Sequence, residues 1–193
     1  NVMDNKLKPY NINSMRFNPP WYTPGNRQDQ ANNAWFGFIQ MLTKMKYRRE
    51  SLLRPLKLLE IGTHRGESTA MFAMSGVFGE IVTVDIQEYD SAVDRSIFDN
   101  VEYIIADSKE YHKEVADGYF DVVYIDGDHS KEGITADINN YKSKIKLYGT
   151  FAGHDYNEHW PHVVEAVDTL LGRPENRFPD GSFMKKITKE LIL

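Results

Sequence analysis

A chain of 193 residues has room for one substantial core but not for two full α/β domains, so any cofactor and substrate must share one surface. Its net charge of −5 argues against a general polyanion binder, nucleic acid included, and no apolar run nears the roughly 18 residues of a membrane span. The absence of cysteine excludes disulfides and thiolate metal sites and, with no apolar signal core in the first eight residues, sets the expectation of a cytoplasmic protein.

Residues 1–27 are rich in Asn, Pro and aromatics, as in Phe17-Asn18-Pro19-Pro20-Trp21-Tyr22-Thr23-Pro24-Gly25, and show neither helical nor alternating periodicity. They read as an extended arm whose aromatics cover a substrate cleft, cap the core or pack on a second subunit of a homo-oligomer. From residue 28 the domain proper begins. Ala31, Ala34, Trp35, Phe38, Ile39, Leu42 and Met45 recur at threes and fours over residues 28–47, which predicts a long amphipathic helix. Apolar strand-like runs follow at residues 56–61, 81–84, 101–105, 120–125 and 147–152, with helical segments at 68–74 and 131–145. This alternation predicts a doubly wound, mostly parallel α/β sheet with helices on both faces. At the end, Arg177 to Ile187 places an Asp180-Gly181 turn between two short strand-like pieces, a C-terminal antiparallel hairpin.

The first strand runs straight into Glu60-Ile61-Gly62-Thr63-His64-Arg65-Gly66. A dinucleotide fingerprint needs three glycines spaced to admit a pyrophosphate. Here the other two positions counted from Gly62 are held by His64 and Glu67. Glu60 before the turn favours a ligand carrying positive charge. The segment resembles the first motif of the class I S-adenosylmethionine-dependent methyltransferases, acid-x-Gly-x-x-x-Gly. That resemblance, which covers about residues 52–190, implies a Rossmann-like seven-stranded sheet and S-adenosylmethionine as cofactor. It also implies that Glu60, Gly62, Thr63 and Gly66 form the cofactor turn.

Ligands of open α/β sheets bind outside the carboxyl ends of the strands, and this chain puts polar residues at each such end. Asp85, 23 positions after Gly62, suits a carboxylate that accepts from both ribose hydroxyls. Asp107-Ser108 follows the third strand, where the resembled family contacts the adenine amino group; a turn or helix-capping role fits Asp107 as well. Tyr124-Ile125-Asp126-Gly127-Asp128-His129-Ser130 ends the fourth strand, and His154-Asp155-Tyr156 the fifth. Asp126, which also borders the cofactor, His129, His154 and Asp155 should converge. Two carboxylates and an imidazole suit a divalent metal of the Mg²⁺ or Mn²⁺ kind, and a nearby imidazole suits a general base.

The paired motifs Ile-Asp-Gly-Asp-His and Gly-His-Asp-Tyr resemble those of a class I subgroup related to sugar and macrolide O-methyltransferases. By that resemblance Asp126 and Asp155 are metal ligands and His129 the base. His154 stands where those relatives carry an acid, which makes it a third candidate ligand and puts Mg²⁺ in doubt. Asp128 reads as a helix cap or a metal ligand, Arg65 as a contact for the methionine carboxylate or an exposed loop charge, and Trp160, between His159 and His162, as a wall of the acceptor site or an ordinary buried Trp. The resulting expectation is an S-adenosylmethionine-dependent O-methyltransferase of a small-molecule acceptor, a sugar or natural-product-like compound, with Asp126, His129 and His154 as its catalytic groups. An N- or protein methyltransferase, a nicotinamide oxidoreductase and a non-catalytic Rossmann-like module stay open as rivals.

Overall fold

Strand β1 (Leu56–Ile61) lies inside the sheet, third of its seven strands, and its alternation explains both layers around it. Leu56 and Leu58 join one apolar cluster, while Leu59 and Ile61 join the other. A computed structural model supplies this description for residues 28–91 and 93–193, with side chains from Phe36 onward. The arm expected at 1–27 and the side chains of Ala31, Ala34 and Trp35 lie outside the described residues.

Helix α1 (Gln28–Leu52) places Phe38, Met41, Leu42 and Met45 in the first cluster. There they meet Met71 and Phe72 of α2 (Glu67–Met74). Helices α4 (Lys131–Tyr141) and α5 (Pro161–Leu170) cover the opposite face with Ile134, Ile138, Val163 and Val167. Burying each such side chain contributes about 1.5–3 kcal/mol, so each face is anchored by several independent contacts.

The strand order is β3-β2-β1-β4-β5-β7-β6. Strands β2 (Phe78–Asp85), β1, β4 (Phe120–Ile125) and β5 (Ile145–Gly153) run parallel with β3 (Val101–Ile105). Strand β7 (Phe183–Lys186) pairs antiparallel with β5 and with the short β6 (Asn176–Arg177). The expected mostly parallel seven-stranded sheet with a closing antiparallel hairpin therefore forms. Among the described residues, no helix is long and apolar enough to cross a membrane.

Several boundaries differ from the sequence expectation: α1 runs on to Leu52 and β5 spans Ile145–Gly153, and two of the differences have a tertiary cause. Helix α4 stops at Tyr141, and a 3₁₀ turn at Lys142–Lys144 delivers Ile145 into β5 opposite Phe120. Strand β2 begins three residues early because Phe78 pairs with Leu56 and is buried. Two further four-residue helices are α3 (Ser108–Tyr111) and α6 (Lys189–Ile192).

The register decides what stands at the functional edge. Ile61 lies opposite both Val84 and Ile125, and Ile125 opposite Gly153, so the parallel strands end level. The ladder then continues one residue further: the N–H groups of Gly62, Asp126 and His154 donate to Val84, Ile61 and Ile125 carbonyls at 2.8, 2.8 and 3.0 Å. Backbone hydrogen bonds thus hold the first residue of each loop as firmly as the strand itself.

Candidate active site

Gly62 opens the β1–α2 turn with φ +101°, and a Cβ there would lie 2.2 Å from the Asp126 carbonyl oxygen. Only glycine satisfies both conditions. Gly66, at φ +81°, forms the N-cap of α2 and donates its N–H to the Thr63 carbonyl at 2.8 Å. The Thr63 hydroxyl shares a 2.6 Å hydrogen bond with that of Thr83.

Glu60 faces inward beneath this turn. It is fully buried, and its carboxylate accepts hydrogen bonds from the hydroxyls of Ser68, Thr69 and Thr83. Burial raises its pKa from the usual 4.5 to about 7, against the lowering effect of those three donors. Its carboxylate thus ties the first turn of α2 to β1 and β2, and Glu60 borders neither cavity described below.

A cleft of about 580 Å³ runs along the strand ends from Gly62 past Asp85 to Asp107, and on to Asp126 and His129. Asp85 accepts the His64 N–H at 2.7 Å and its neighbour Ile86 N–H at 2.8 Å, which fixes its carboxylate at the rim. Asp107 is the N-cap of α3 and accepts from Lys109 N–H at 2.9 Å while still bordering the cleft. The Ser108 hydroxyl donates to Asp137 at 2.8 Å, and the Tyr141 hydroxyl donates to the Ser108 carbonyl at 2.6 Å. Burial lifts the Asp137 carboxyl to about 6, partly offset by Ser108.

A smaller cavity of about 220 Å³ lies on the other side of the turn, bordered by Thr63, Arg65, Ser68, Tyr124, His154 and Asp180. Gly62, His64 and Asp126 border both cavities, so the two lie side by side around the end of β1.

The loops after β4 and β5 meet as a web of imidazoles and carboxylates. His129 Nε2 lies 3.1 Å from Asp155 Oδ2, and His154 Nδ1 lies 3.0 Å from Asp155 Oδ1 and 4.0 Å from Asp126 Oδ1. On its far side, His154 Nε2 is 3.3 Å from Oδ2 of Asp180, whose side chain is 1% exposed. Asp155 sits in the left-handed region at φ +63°, a conformation that turns its carboxylate between the two rings. Burial alone would push the His154 pKa down, but its bonds to Asp155 and Asp180 and the charge of Asp126 carry it up to about 10. Burial raises Asp126, whereas in Asp155 the bond to His154 and the two imidazole charges outweigh burial and hold it low. Asp126, His154 and Asp155 each offer one ligand atom, all within 4.8 Å of one another.

The expected convergence of Asp126, His129, His154 and Asp155 is thus present in the geometry. Asp128 does not cap α4: Ser130 is the N-cap, accepting from Gly133 N–H, and Asp128 accepts from Ser130 N–H to shape the approach. The Trp160 ring packs on His129 with centroids 4.6 Å apart and stays 41% exposed, leaving a free face. Asp180 and Asp137 were not anticipated. Asp180 was hidden in an Asp-Gly turn. A signal did exist for Asp137: it interrupts the otherwise apolar stripe Ile134, Ile138, Tyr141 of α4.

Residues 59–156 match the family model described as a methyltransferase domain. No curated protein matches the chain in sequence. Similar solved structures include the 1,6-didemethyltoxoflavin N1-methyltransferase of Burkholderia thailandensis with bound 1,6-didemethyltoxoflavin and S-adenosylhomocysteine, at 16% identity and TM-score 0.55 over 84% of this chain and 87% of that one. CalS11, a TDP-rhamnose 3′-O-methyltransferase of calicheamicin biosynthesis, is 17% identical at TM-score 0.56 over 85% and 87%. MycE, a methyltransferase of mycinamycin biosynthesis solved with Mg and S-adenosylhomocysteine, is 17% identical at TM-score 0.58 over 77% of this chain and 49% of its own length. At these identities the likeness establishes the shared fold.

Proposed function

This chain belongs to the methyltransferase domain family, and on that footing we propose that it is an S-adenosylmethionine-dependent methyltransferase, acting on a hydroxyl of a small sugar-like or natural-product-like acceptor. Residues 28–193 are the catalytic domain in this reading. The observation that carries it is the position of Asp126, which borders the long cleft on one side and the His154 cavity on the other. A donor lying in the cleft would end beside the imidazole and carboxylate web.

S-adenosylmethionine supplies a methyl group already activated on a sulfonium, so the protein's part is positioning and deprotonation. Asp85 would accept from the ribose hydroxyls, and Asp107 and Ser108 would border the adenine. The Gly62–Gly66 backbone, with Thr63, would face the methionine moiety, and Arg65 its carboxylate. Glu60 supports this turn from beneath through Ser68 and Thr69. His129, oriented by Asp155, is the group set to take the acceptor hydroxyl proton.

The donor set also fits a divalent cation. His154 points Nδ1 at Asp155 and Asp126 while its other nitrogen is engaged by Asp180, the pattern in which a ligating imidazole gives its second N–H to a carboxylate. Asp126, His154 and Asp155 would hold the ion, whose chemistry there is to polarise an acceptor hydroxyl. Isothermal titration with S-adenosylmethionine, S-adenosylhomocysteine and NAD, each with and without Mg²⁺ or Mn²⁺, tests the reading. Heat from the two adenosyl ligands and none from NAD is expected; binding of NAD alone, or of nothing, would overturn it.

A further inference from the structure

We propose that Asp137 reads the 6-amino group of the adenine, so that the site takes an adenosyl cofactor and rejects its deaminated, 6-oxo counterpart; this rests on the cofactor reading above. Asp137 stands on the second turn of α4, is 3% exposed, and borders the long cleft beside Asp107 and Ser108. Its Oδ1 accepts the Ser108 hydroxyl at 2.8 Å. One turn further along the helix, the buried Tyr141 donates its hydroxyl to the Ser108 carbonyl at 2.6 Å. Two residues of α4 thus clamp the first residue of α3, and the Asp137 carboxylate cannot turn away without giving up its own bond.

The other oxygen of this carboxylate has no such partner. Among the described residues no hydrogen bond reaches Asp137 Oδ2. Nor is it sealed from the cleft: among the same residues, the sealed side-chain atoms without a partner are the Arg49 and Arg95 Nε and the Tyr103 hydroxyl. Gly127 leaves the space before it clear, since a Cβ there would stand 3.7 Å from Oδ2. A buried carboxylate oxygen needs a donor, and here the donor must come from what fills the cleft.

The 6-amino group is the hydrogen-bond donor of an adenine ring. The ribose hydroxyls go to Asp85 in the same reading. Asp107 also borders the cleft, but it is exposed and its carboxylate caps α3 through the Lys109 N–H at 2.9 Å, so water competes for whatever it meets. Burial lifts the Asp137 carboxyl only to about 6, so at pH 8 it is ionised and can only accept. A 6-oxo purine would then set lone pair against lone pair, with its own proton one ring position away on N1. A buried group built to accept an N–H rejects the analogue lacking it far more strongly than shape alone would.

Calorimetric titration of the full chain at pH 8 with S-adenosylhomocysteine and with S-inosylhomocysteine, its deaminated analogue, tests this. The wild type is expected to bind the adenosyl ligand at least about 100-fold more tightly. Asp137→Asn keeps the size and supplies an NH₂ that can donate to the 6-oxo group, so the ratio should fall about tenfold or more, mainly through tighter binding of S-inosylhomocysteine. Asp107→Asn should shift the two ligands together and keep the ratio. A residue that only clamps α3 would make Asp137→Asn weaken both ligands equally, and that result overturns the proposal. Collapse of the ratio in Asp107→Asn also overturns it, whether or not the Asp137 variant folds. Equal wild-type affinity for the two ligands overturns it while leaving the methyltransferase reading intact; a wild type that binds neither overturns the two together.

Discussion

The Nε2 atom of His129 stands 3.1 Å from Oδ2 of Asp155, so an imidazole on the β4–α4 loop takes its orientation from a carboxylate at the end of β5. Under the proposed function this pairing holds the ring at one nitrogen, the orientation a general base requires.

If His129 is the base, His129→Gln lowers kcat for methyl transfer by about 10²–10⁴-fold, the usual range for a positioned general base. Affinity for S-adenosylhomocysteine should fall far less than kcat, because His129 borders the cleft but is assigned no hydrogen bond to the donor. Kinetics against a panel of sugars and other polyols, with calorimetry on the same protein, checks this; an equal loss in both measurements would refute the assignment.

Asp85→Ala should weaken S-adenosylhomocysteine binding by about 10–100-fold, corresponding to the loss of hydrogen bonds to a charged acceptor worth about 1.5–3 kcal/mol. It also releases the His64 N–H, so the cofactor turn loses one of its fixed points. Calorimetry of the variant gives the number directly, and an unchanged affinity would remove Asp85 from the ribose site.

Gly62→Ala meets two penalties at once, a backbone φ of +101° and a 2.2 Å approach to the Asp126 carbonyl. The conformation costs about 1–3 kcal/mol and overpacking a similar amount, so the urea midpoint should fall clearly. Cofactor affinity should fall further still, since relieving the clash displaces Asp126. An alanine variant as stable as wild type would mean that the turn is looser than the geometry requires.

Glu60 makes stability depend on pH in the direction opposite to a salt-bridged acid. Its folded pKa, about 7, lies above the usual 4.5, so between these values the folded chain holds a proton that the unfolded chain has released. Stability should therefore fall as pH rises through that window and level off above it. Glu60→Gln removes this dependence, and the stability difference between variant and wild type should grow with pH by up to about 3 kcal/mol, at 1.36 kcal/mol per pKa unit. Urea unfolding at pH 5, 6, 7 and 8 measures it; parallel curves for the two proteins would show that the carboxyl is ionised throughout.

The sheet was legible from the spacing of apolar runs, because a central parallel strand buried on both faces leaves a nearly continuous apolar signature, as in Phe120 to Ile125. The polar residues directly following those runs were legible for the same reason: level strand ends bring Gly62, Asp126 and His154 to one edge. Glu60 was expected in the cofactor turn from its place in the motif; strand alternation puts its carboxylate on the same face as Leu56 and Leu58, where it accepts from the Ser68 and Thr69 hydroxyls of α2. Asp180 was invisible because Asp-Gly is already explained locally as a turn, and nothing local records that β7 pairs with β5 and carries that turn to His154. Asp137 stands out as a break in the apolar stripe of α4, but that stripe alone does not show that Ser108 of α3 is its partner.

The left-handed backbone of Asp155 exposes a conflict between durability and chemistry. A non-glycine residue in that region costs about 1–2 kcal/mol, so glycine at 155 would relieve the strain and keep the turn while removing the bridge between the two imidazoles. Selection for a sturdier fold alone would favour glycine at this position. That aspartate occupies it makes residue 155 a place where thermostabilising engineering and activity would pull the chain in opposite directions.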